Sequence, residues 1–402
     1  MFNLDKFISE HVTKRPISMF YPDIEANSEL LKKRIEGKTV LVIGGAGSIG
    51  SSYIKALLPF KPASLIVVDT NENALAELTR DLRSTKGMYI PKNYITYPMD
   101  YASEVFKKMF TDHKGFDIVG NFSAHKHVRS EKDIYSIEAL LQNNVLHAKL
   151  LLDLLSEYPP QSYFCVSTDK AANPVNIMGA SKRIMEDVIF SYSDKFPVKT
   201  ARFANVAFSN GSLPAGFLSR IQKLQPISAP SDVRRFFVSP EESGQICLIS
   251  CILGENRAIL FPKLSNAQMM TFDAIATELL KAHGYRILEC DSDKEAIDKA
   301  ETLKFGSDQY PVHYSISDTS GEKPYEEFVT ENEIADLNRF SSLGVITGKT
   351  IPNRTQIQSL CVELSTAFTK PDVFKEDIVN ILKNYLPNFD HIETGKSLDS
   401  KM

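Results

Sequence analysis

The run Gly44-Gly45-Ala46-Gly47-Ser48-Ile49-Gly50 constrains this chain more than any other part of it. It follows the β-branched stretch Thr39–Ile43 and leads into a segment with helical spacing, so it reads as a turn between a strand and a helix. The first glycine permits a tight turn. The second lets backbone amides approach a pyrophosphate, and the third lets the helix pack close against the sheet. The start of that helix then turns the positive end of its dipole toward phosphate. Asp69 ends the next predicted strand, at the spacing where a carboxylate accepts hydrogen bonds from an adenosine ribose. Gly44, Gly47, Ser48, Ile49, Gly50 and Asp69 are therefore the candidate dinucleotide-binding residues. A carboxylate at 69 repels a 2′-phosphate, and Thr70 and Asn71 bring no arginine to offset it, so NAD is expected rather than NADP. Asp100 is a candidate partner for the adenine, or else a loop cap.

The surrounding pattern extends this unit. Strands fit Thr39–Ile43, Ser64–Val68, Tyr94–Tyr97, Phe116–Asn121, Tyr163–Ser167 and Val198–Phe203. Helices fit Asn71 to about Arg83, Ile134–Glu157 and Ile177–Tyr192. Short apolar strands alternating with helices predict an α/β fold, a Rossmann-type doubly wound parallel sheet. After about Gly211, prolines 214, 226, 230, 240 and 262 punctuate shorter elements. The expected division is an N-terminal helical extension (1–37), the dinucleotide-binding domain (38–210), a mainly substrate-binding lobe (211–348), and a C-terminal extension of two amphipathic helices with a polar, extended tail from Asn388 (349–402).

Bulk properties exclude several classes of function. A net charge of −4 gives no footprint for nucleic acid or an anionic membrane. No apolar run approaches the ~18 residues of a membrane span, and the first residues lack a signal-peptide pattern. Five scattered cysteines without C-x-x-C spacing argue against a disulfide framework or a zinc site. His125 and His127 have no third ligand cluster nearby, so no metal is expected there. Cys247 and Cys251, spaced i, i+4, read as buried packing on a helix. A cytoplasmic enzyme is expected.

The chemistry concentrates at Ser167-Thr168-Asp169-Lys170 and Met178-Gly179-Ala180-Ser181-Lys182. The second block has the spacing of a Tyr-x-x-x-Lys pair with methionine in the tyrosine position. A thioether cannot take a proton, so a base, if there is one, lies elsewhere, and Asp169 and Lys170 supply two proton-transfer groups just upstream. These blocks resemble the extended short-chain dehydrogenases acting on nucleotide sugars, and more narrowly the polysaccharide-biosynthesis UDP-N-acetylglucosamine 4,6-dehydratases. The resemblance runs from about Lys38 to Phe328. Ala124-His125-Lys126-His127-Val128 is similar to that family's Ala-Leu-Lys-His-Val block. Arg202-Phe203-Ala204-Asn205-Val206, Arg235-Phe236-Phe237 and Gly321-Glu322-Lys323 match further blocks. A subgroup of the family carries methionine in place of tyrosine.

The resemblance implies a specific reaction. A hydride leaves C4 of the sugar for NAD+, the C5 proton and C6 hydroxyl are lost as water, and the hydride returns to C6 to give a 4-keto-6-deoxy sugar. It further implies that Asp169 protonates the leaving hydroxyl, Lys170 removes the C5 proton, Thr168 bonds O4, and Lys182 holds the nicotinamide ribose. Met178 is then a packing residue. The O4 proton leaves through Asp169 or a bound water. Lys126, Asn205, Arg235 and Glu322 are candidate contacts to the nucleotide sugar, with Arg235 suited to the diphosphate and Arg234 its competitor. Thr319-Ser320 before Gly321 departs from the Arg-Pro of relatives, which leaves the nucleotide base open between UDP and GDP. A C5-inverting dehydratase, a C4 epimerase and a non-enzymatic NAD-bound scaffold are the competing readings. Many relatives dimerise through helices equivalent to Ile134–Glu157 and Ile177–Tyr192, so a homodimer or larger assembly is expected.

Overall fold

The computed structural model describes residues 2–317, 321, 323, 325 and 327–393. Its centre is a nine-stranded sheet. Strands β1 (Thr39–Ile43), β2 (Ser64–Asp69), β3 (Asn93–Pro98), β4 (Ile118–Asn121), β5 (Ser162–Thr168) and β6 (Val198–Phe203) lie in the order 3-2-1-4-5-6, all parallel. This is the doubly wound arrangement the alternating pattern predicts. β1, β4, β5 and β6 are buried along nearly their whole length because helices cover both faces, which is why they read as continuous apolar runs. The chain reverses its strand order between β1 and β4. At that crevice the carboxyl ends of the strands carry the glycine loop and the residues after Asn121.

Segment 211–348 divides between two units. Strand Ile259–Pro262 adds parallel to β6, and Leu343–Ile346 and Ala335–Asp336 continue the sheet antiparallel. Helix Pro240–Leu253 lies against helix Ser48–Leu57, with Gly244 so close that a Cβ would fall 2.2 Å from the Ser52 carbonyl oxygen. Cys247 and Cys251 are buried on that helix, as their spacing predicts. The remainder builds a smaller three-stranded parallel sheet, Arg286–Cys290, Gln309–Ser315 and Ile227–Pro230, with its own core around Phe217, Ile275, Leu279, Tyr310 and Val312. The N-terminal stretch joins both units. Phe7, Ile8 and Val12 enter the smaller core, whereas Phe20, Leu31 and Ile35 enter the larger.

Helix Ile177–Phe190 runs beside β5 and is buried except at Arg183 and Asp187. The C-terminal helices Arg354–Phe368 and Lys375–Tyr385 pack near it and bury Ile357, Leu360, Leu364, Ile378 and Leu382 in the main core. Arg354 sits over the Tyr192 ring while donating to Asp194. The tail also departs from the extended polar segment expected from Asn388. Phe389 is buried, and the Ile392 amide donates to the Val175 carbonyl at 2.9 Å. No helix among the described residues is long and apolar enough to cross a membrane.

Candidate active site

The glycine loop closes on itself as its spacing requires. Gly44 adopts φ +70°, and a Cβ on it would stand 2.6 Å from the Ser123 amide. A Cβ on Gly50 would lie 2.3 Å from the Gly44 carbonyl oxygen. Helix Ser48–Leu57 starts at Gly47 with no side chain capping its first amides. Those amides keep their donors for an anion, as a pyrophosphate site needs. Ile49 is half-buried against the main core. Asp69 spans the same loop: one carboxylate oxygen accepts from the Ala46 amide and the other from the Asn71 amide, each at 3.0 Å. A carboxylate oxygen has two lone pairs, so each retains capacity for a ribose hydroxyl. The loop residues and Asp69 thus fit a dinucleotide. Asp100 accepts from the Ala102 amide at 2.8 Å on an exposed turn.

At the end of β5 the chain enters a short 3-10 turn, Asp169–Ala171, and Asn176 then caps helix Ile177–Phe190 by accepting from the Gly179 amide at 2.7 Å. Asp169 is 3% exposed. Its Oδ1 gathers three donors: the Thr168 hydroxyl at 2.9 Å, the Lys170 amide at 2.9 Å and the Lys170 ammonium at 3.1 Å. Oδ2 accepts no hydrogen bond among the described residues. Thr168, Asp169 and Lys170 therefore form one polar cluster, held on one carboxylate oxygen and leaving the other for a reacting group.

Met178 is buried in the main core, and its backbone amide, not its thioether, is engaged: it donates to Glu131 Oε1 at 3.1 Å. Lys182 is buried on the same helix, with its ammonium 3.1 Å from the Val166 carbonyl and 3.5 Å from the Met185 sulfur. Burial pulls its pKa below the ordinary lysine value, against the opposing pull of Cys165 and Glu186. The loop after β4 is tied to this helix by Asn144, whose side chain bonds both backbone groups of His125 at 2.9 Å and the Ser181 hydroxyl at 3.0 Å. Desolvation, then the Lys182 charge, lowers the His125 pKa. The sequence reading missed Asn144. It lies in the π-helical stretch Gln142–His147 inside the long predicted helix, and such bulges often mark functional positions.

The candidate substrate contacts fall in different places. Lys126 donates to the Asn210 carbonyl at 3.0 Å, and the Asn210 amide donates to the Ser48 hydroxyl at 2.9 Å, so this turn bridges the glycine loop and the 124–128 block. Asn205 lies half-buried on a two-residue strand beside Phe237–Val238. Arg235, not Arg234, is the buried arginine. It donates to the Lys323 carbonyl at 2.9 Å, which places Lys323 beside it. Glu322, Thr319 and Ser320 lie outside the described residues.

Behind the cluster sits a buried charge network. Ser167 donates to Glu186, which pairs with Arg202 at 2.8 Å, and Arg202 reaches Glu333 at 2.6 Å. Against the upward push of burial, Arg202 and Lys349 hold the Glu186 carboxyl well below the usual range. Glu333 is held down to about 2.

Comparison with known proteins follows the same lines. Residues 40–347 match the model of a family described as polysaccharide biosynthesis protein. The chain is 28% identical to the probable polysaccharide biosynthesis protein EpsC of Bacillus subtilis, over 76% of this chain and 47% of that protein, so it spans about half the relative's length. It is 24% identical to a Campylobacter jejuni UDP-N-acetylglucosamine 4,6-dehydratase (inverting), over 77% of this chain and 89% of the other. It is 27% identical to the UDP-glucose 4-epimerase of Rickettsia conorii, over 74% and 79%. Among solved structures, Pen from Bacillus thuringiensis superimposes with a TM-score of 0.62 at 19% identity, covering 82% of this chain and 98% of that one. That likeness supports the fold.

Proposed function

The chain belongs to the polysaccharide biosynthesis protein family, and from that premise we propose that it is an NAD-dependent nucleotide-sugar 4,6-dehydratase acting on UDP-N-acetylglucosamine. The observation that carries this reading is the Thr168-Asp169-Lys170 cluster. An epimerase moves a hydride to and from one carbon and needs no acid for a leaving hydroxyl. A dehydratase needs an acid at the C6 oxygen and a base at C5, and a buried carboxylate touching a lysine supplies both. The C. jejuni dehydratase relative supports the same class.

NAD supplies the hydride acceptor and donor when bound. Gly44, Gly47, Ser48, Ile49 and Gly50 would hold its pyrophosphate, Asp69 its adenosine ribose, and Lys182 its nicotinamide ribose. The carboxylate at 69 favours NAD over NADP. Asp169 would give a proton from Oδ2 to the departing C6 hydroxyl. Lys170 acts from its neutral form, taking the C5 proton. Thr168 orients the O4 oxygen. Met178 packs and transfers no proton, so the O4 proton leaves through Asp169 or a bound water. Arg235, Asn205, Lys126 and Glu322 are proposed on the nucleotide-sugar side. The 4-epimerase relative gives the competing reading, a C4 epimerase.

The deciding experiment is incubation of the protein with UDP-N-acetylglucosamine and NAD+ in deuterated water, read by mass spectrometry. The expected product has lost one water and carries one deuterium at C5, and NMR then assigns the C5 configuration. A C4-inverted sugar of unchanged mass would replace the dehydratase reading with the epimerase. No conversion of this substrate or of its GDP and N-acetylgalactosamine analogues would refute enzymatic activity on this class.

A further inference from the structure

The first turn of helix Ile177–Phe190 is held by three segments distant in sequence. Asn176 accepts from the Gly179 amide and donates to the Gly321 carbonyl at 2.8 Å. Glu131, at the end of the loop after β4, accepts from the Met178 amide on Oε1. Its other oxygen, Oε2, lies 3.2 Å from Nε2 of His391, with both side chains less than one-tenth exposed. The C-terminal tail is pinned around this contact. Ile392 bonds the Val175 carbonyl, and Lys375 donates to the Glu131 carbonyl at 3.3 Å and pairs with Glu393.

This turn is also the floor of the proton-transfer cluster. A Cβ on Gly179 would lie 2.6 Å from the Lys170 carbonyl oxygen, so the helix backbone rests directly on the Lys170 peptide. Any shift of Met178 and Gly179 is passed to Lys170 and, through its two bonds to Asp169 Oδ1, to the carboxylate. A buried carboxylate that loses one partner moves or rehydrates to satisfy the exposed oxygen. His391 therefore controls a group whose second oxygen fixes the helix start.

We propose that His391 is a positioning residue: through Glu131 it fixes the first helical turn under Asp169 and Lys170, which makes the C-terminal tail a working part of the active site. This rests on the reading of Asp169 and Lys170 as the proton-transfer pair. The test uses the full chain as wild type, His391→Ala and His391→Gln. It measures amide hydrogen exchange across 174–182, NAD affinity, and kcat and KM on the nucleotide sugar the wild type converts. In His391→Ala the Met178 and Gly179 amides should exchange faster. kcat should fall about tenfold, less than the ~10²-fold that a 1 Å misplacement can cost, while KM and NAD affinity change less than about twofold. His391→Gln, which keeps a donor, should recover most of kcat. Unchanged exchange in His391→Ala would overturn the brace whatever the reaction. Faster exchange with wild-type kcat would overturn its link to chemistry. Equal losses in kcat, KM and NAD affinity, with no recovery in the glutamine variant, would reduce the contact to general stability. If the wild type converts no nucleotide sugar, the functional reading has failed, and the exchange data alone decide the brace.

Discussion

Replacing Arg202 with methionine tests how the carboxyl ends of β5 and β6 are held. The guanidinium is fully buried and makes five hydrogen bonds: two to Glu186 at 2.9 and 2.8 Å, two to Glu333 at 2.6 and 2.8 Å, and one to the Phe328 carbonyl at 2.8 Å. Methionine fills much of the volume and leaves two buried carboxylates facing each other. Breaking a buried ion pair by removing one partner costs roughly 3–5 kcal/mol. Lys349 stays within 3.4 Å of Glu186 and 2.9 Å of Glu333, so the lower figure, about 3 kcal/mol, applies. With roughly 2.1 cal/mol/K of unfolding entropy per residue, the 402-residue chain should lose about 4 °C in Tm at pH 7. The pH dependence is the sharper test. In the wild type both glutamates titrate below their ordinary values in the fold. Their contribution is complete above the unfolded value near 4.5 and is lost only as pH falls toward about 2. Without Arg202, burial becomes the dominant influence and raises the folded Glu186 pKa above its unfolded value, so the variant gains relative stability as pH falls. Thermal unfolding of both proteins from pH 8 to 5 should show the gap narrowing by up to about 1.4 kcal/mol per pH unit once Glu186 begins to protonate. A gap that stays constant over this range, or a Tm loss below about 1 °C, would refute the argument.

Two further substitutions address the site itself. Asp169→Asn and Lys170→Ala should each lower turnover by roughly 10²–10⁴ with NAD still bound, checked by steady-state kinetics beside a fluorescence titration of NADH. Near-normal turnover in either variant removes that residue from the mechanism. Gly50→Ala puts a methyl 2.3 Å from the Gly44 carbonyl, on rigid backbone. It should abolish measurable dinucleotide binding by calorimetry while the far-UV circular dichroism spectrum is retained, and wild-type affinity would show that the loop has room to give.

What the sequence made legible was local. The glycine spacing of Gly44–Gly50 is a local signal, although the loop also packs against Ser123, and Asp69 follows because β2 must pair with β1. The inner strands of the parallel sheet announced themselves because they are buried on both faces, whereas the edge strand β3 is half-exposed. Helix Pro240–Leu253 is nearly all buried, so it has no polar stripe to reveal which way it faces. The two-residue strands Arg234–Arg235 and Met270–Thr271 pair across thirty-odd residues and carry no period at all. Glu131, Asn144 and His391 were missed for the same reason. Each is one polar residue among many in its own segment, and its role is set by a partner far along the chain.

Met178 shows how a site can lose a side chain without losing its frame. The spacing to Lys182 is that of a tyrosine pair, and from spacing alone the methionine looks like a lost catalytic group. The fold uses position 178 differently. Its amide anchors the helix to Glu131, its side chain fills the core, and the next residue, Gly179, supports the Lys170 peptide. None of these contacts needs a phenol. The helix still carries Lys182 and still supports the Asp169–Lys170 pair, so the geometry survives, and on the proposed mechanism the proton transfers fall to residues at the end of β5. Returning tyrosine by Met178→Tyr should therefore not raise turnover. The larger ring must enter a site where methionine is 2% exposed, and overpacking a buried position costs roughly 1–3 kcal/mol. The variant should melt lower and turn over no faster in steady-state kinetics. A gain in kcat would mean that a proton acceptor at 178 is what this site lacks, and would refute the transfer of that role to Asp169 and Lys170.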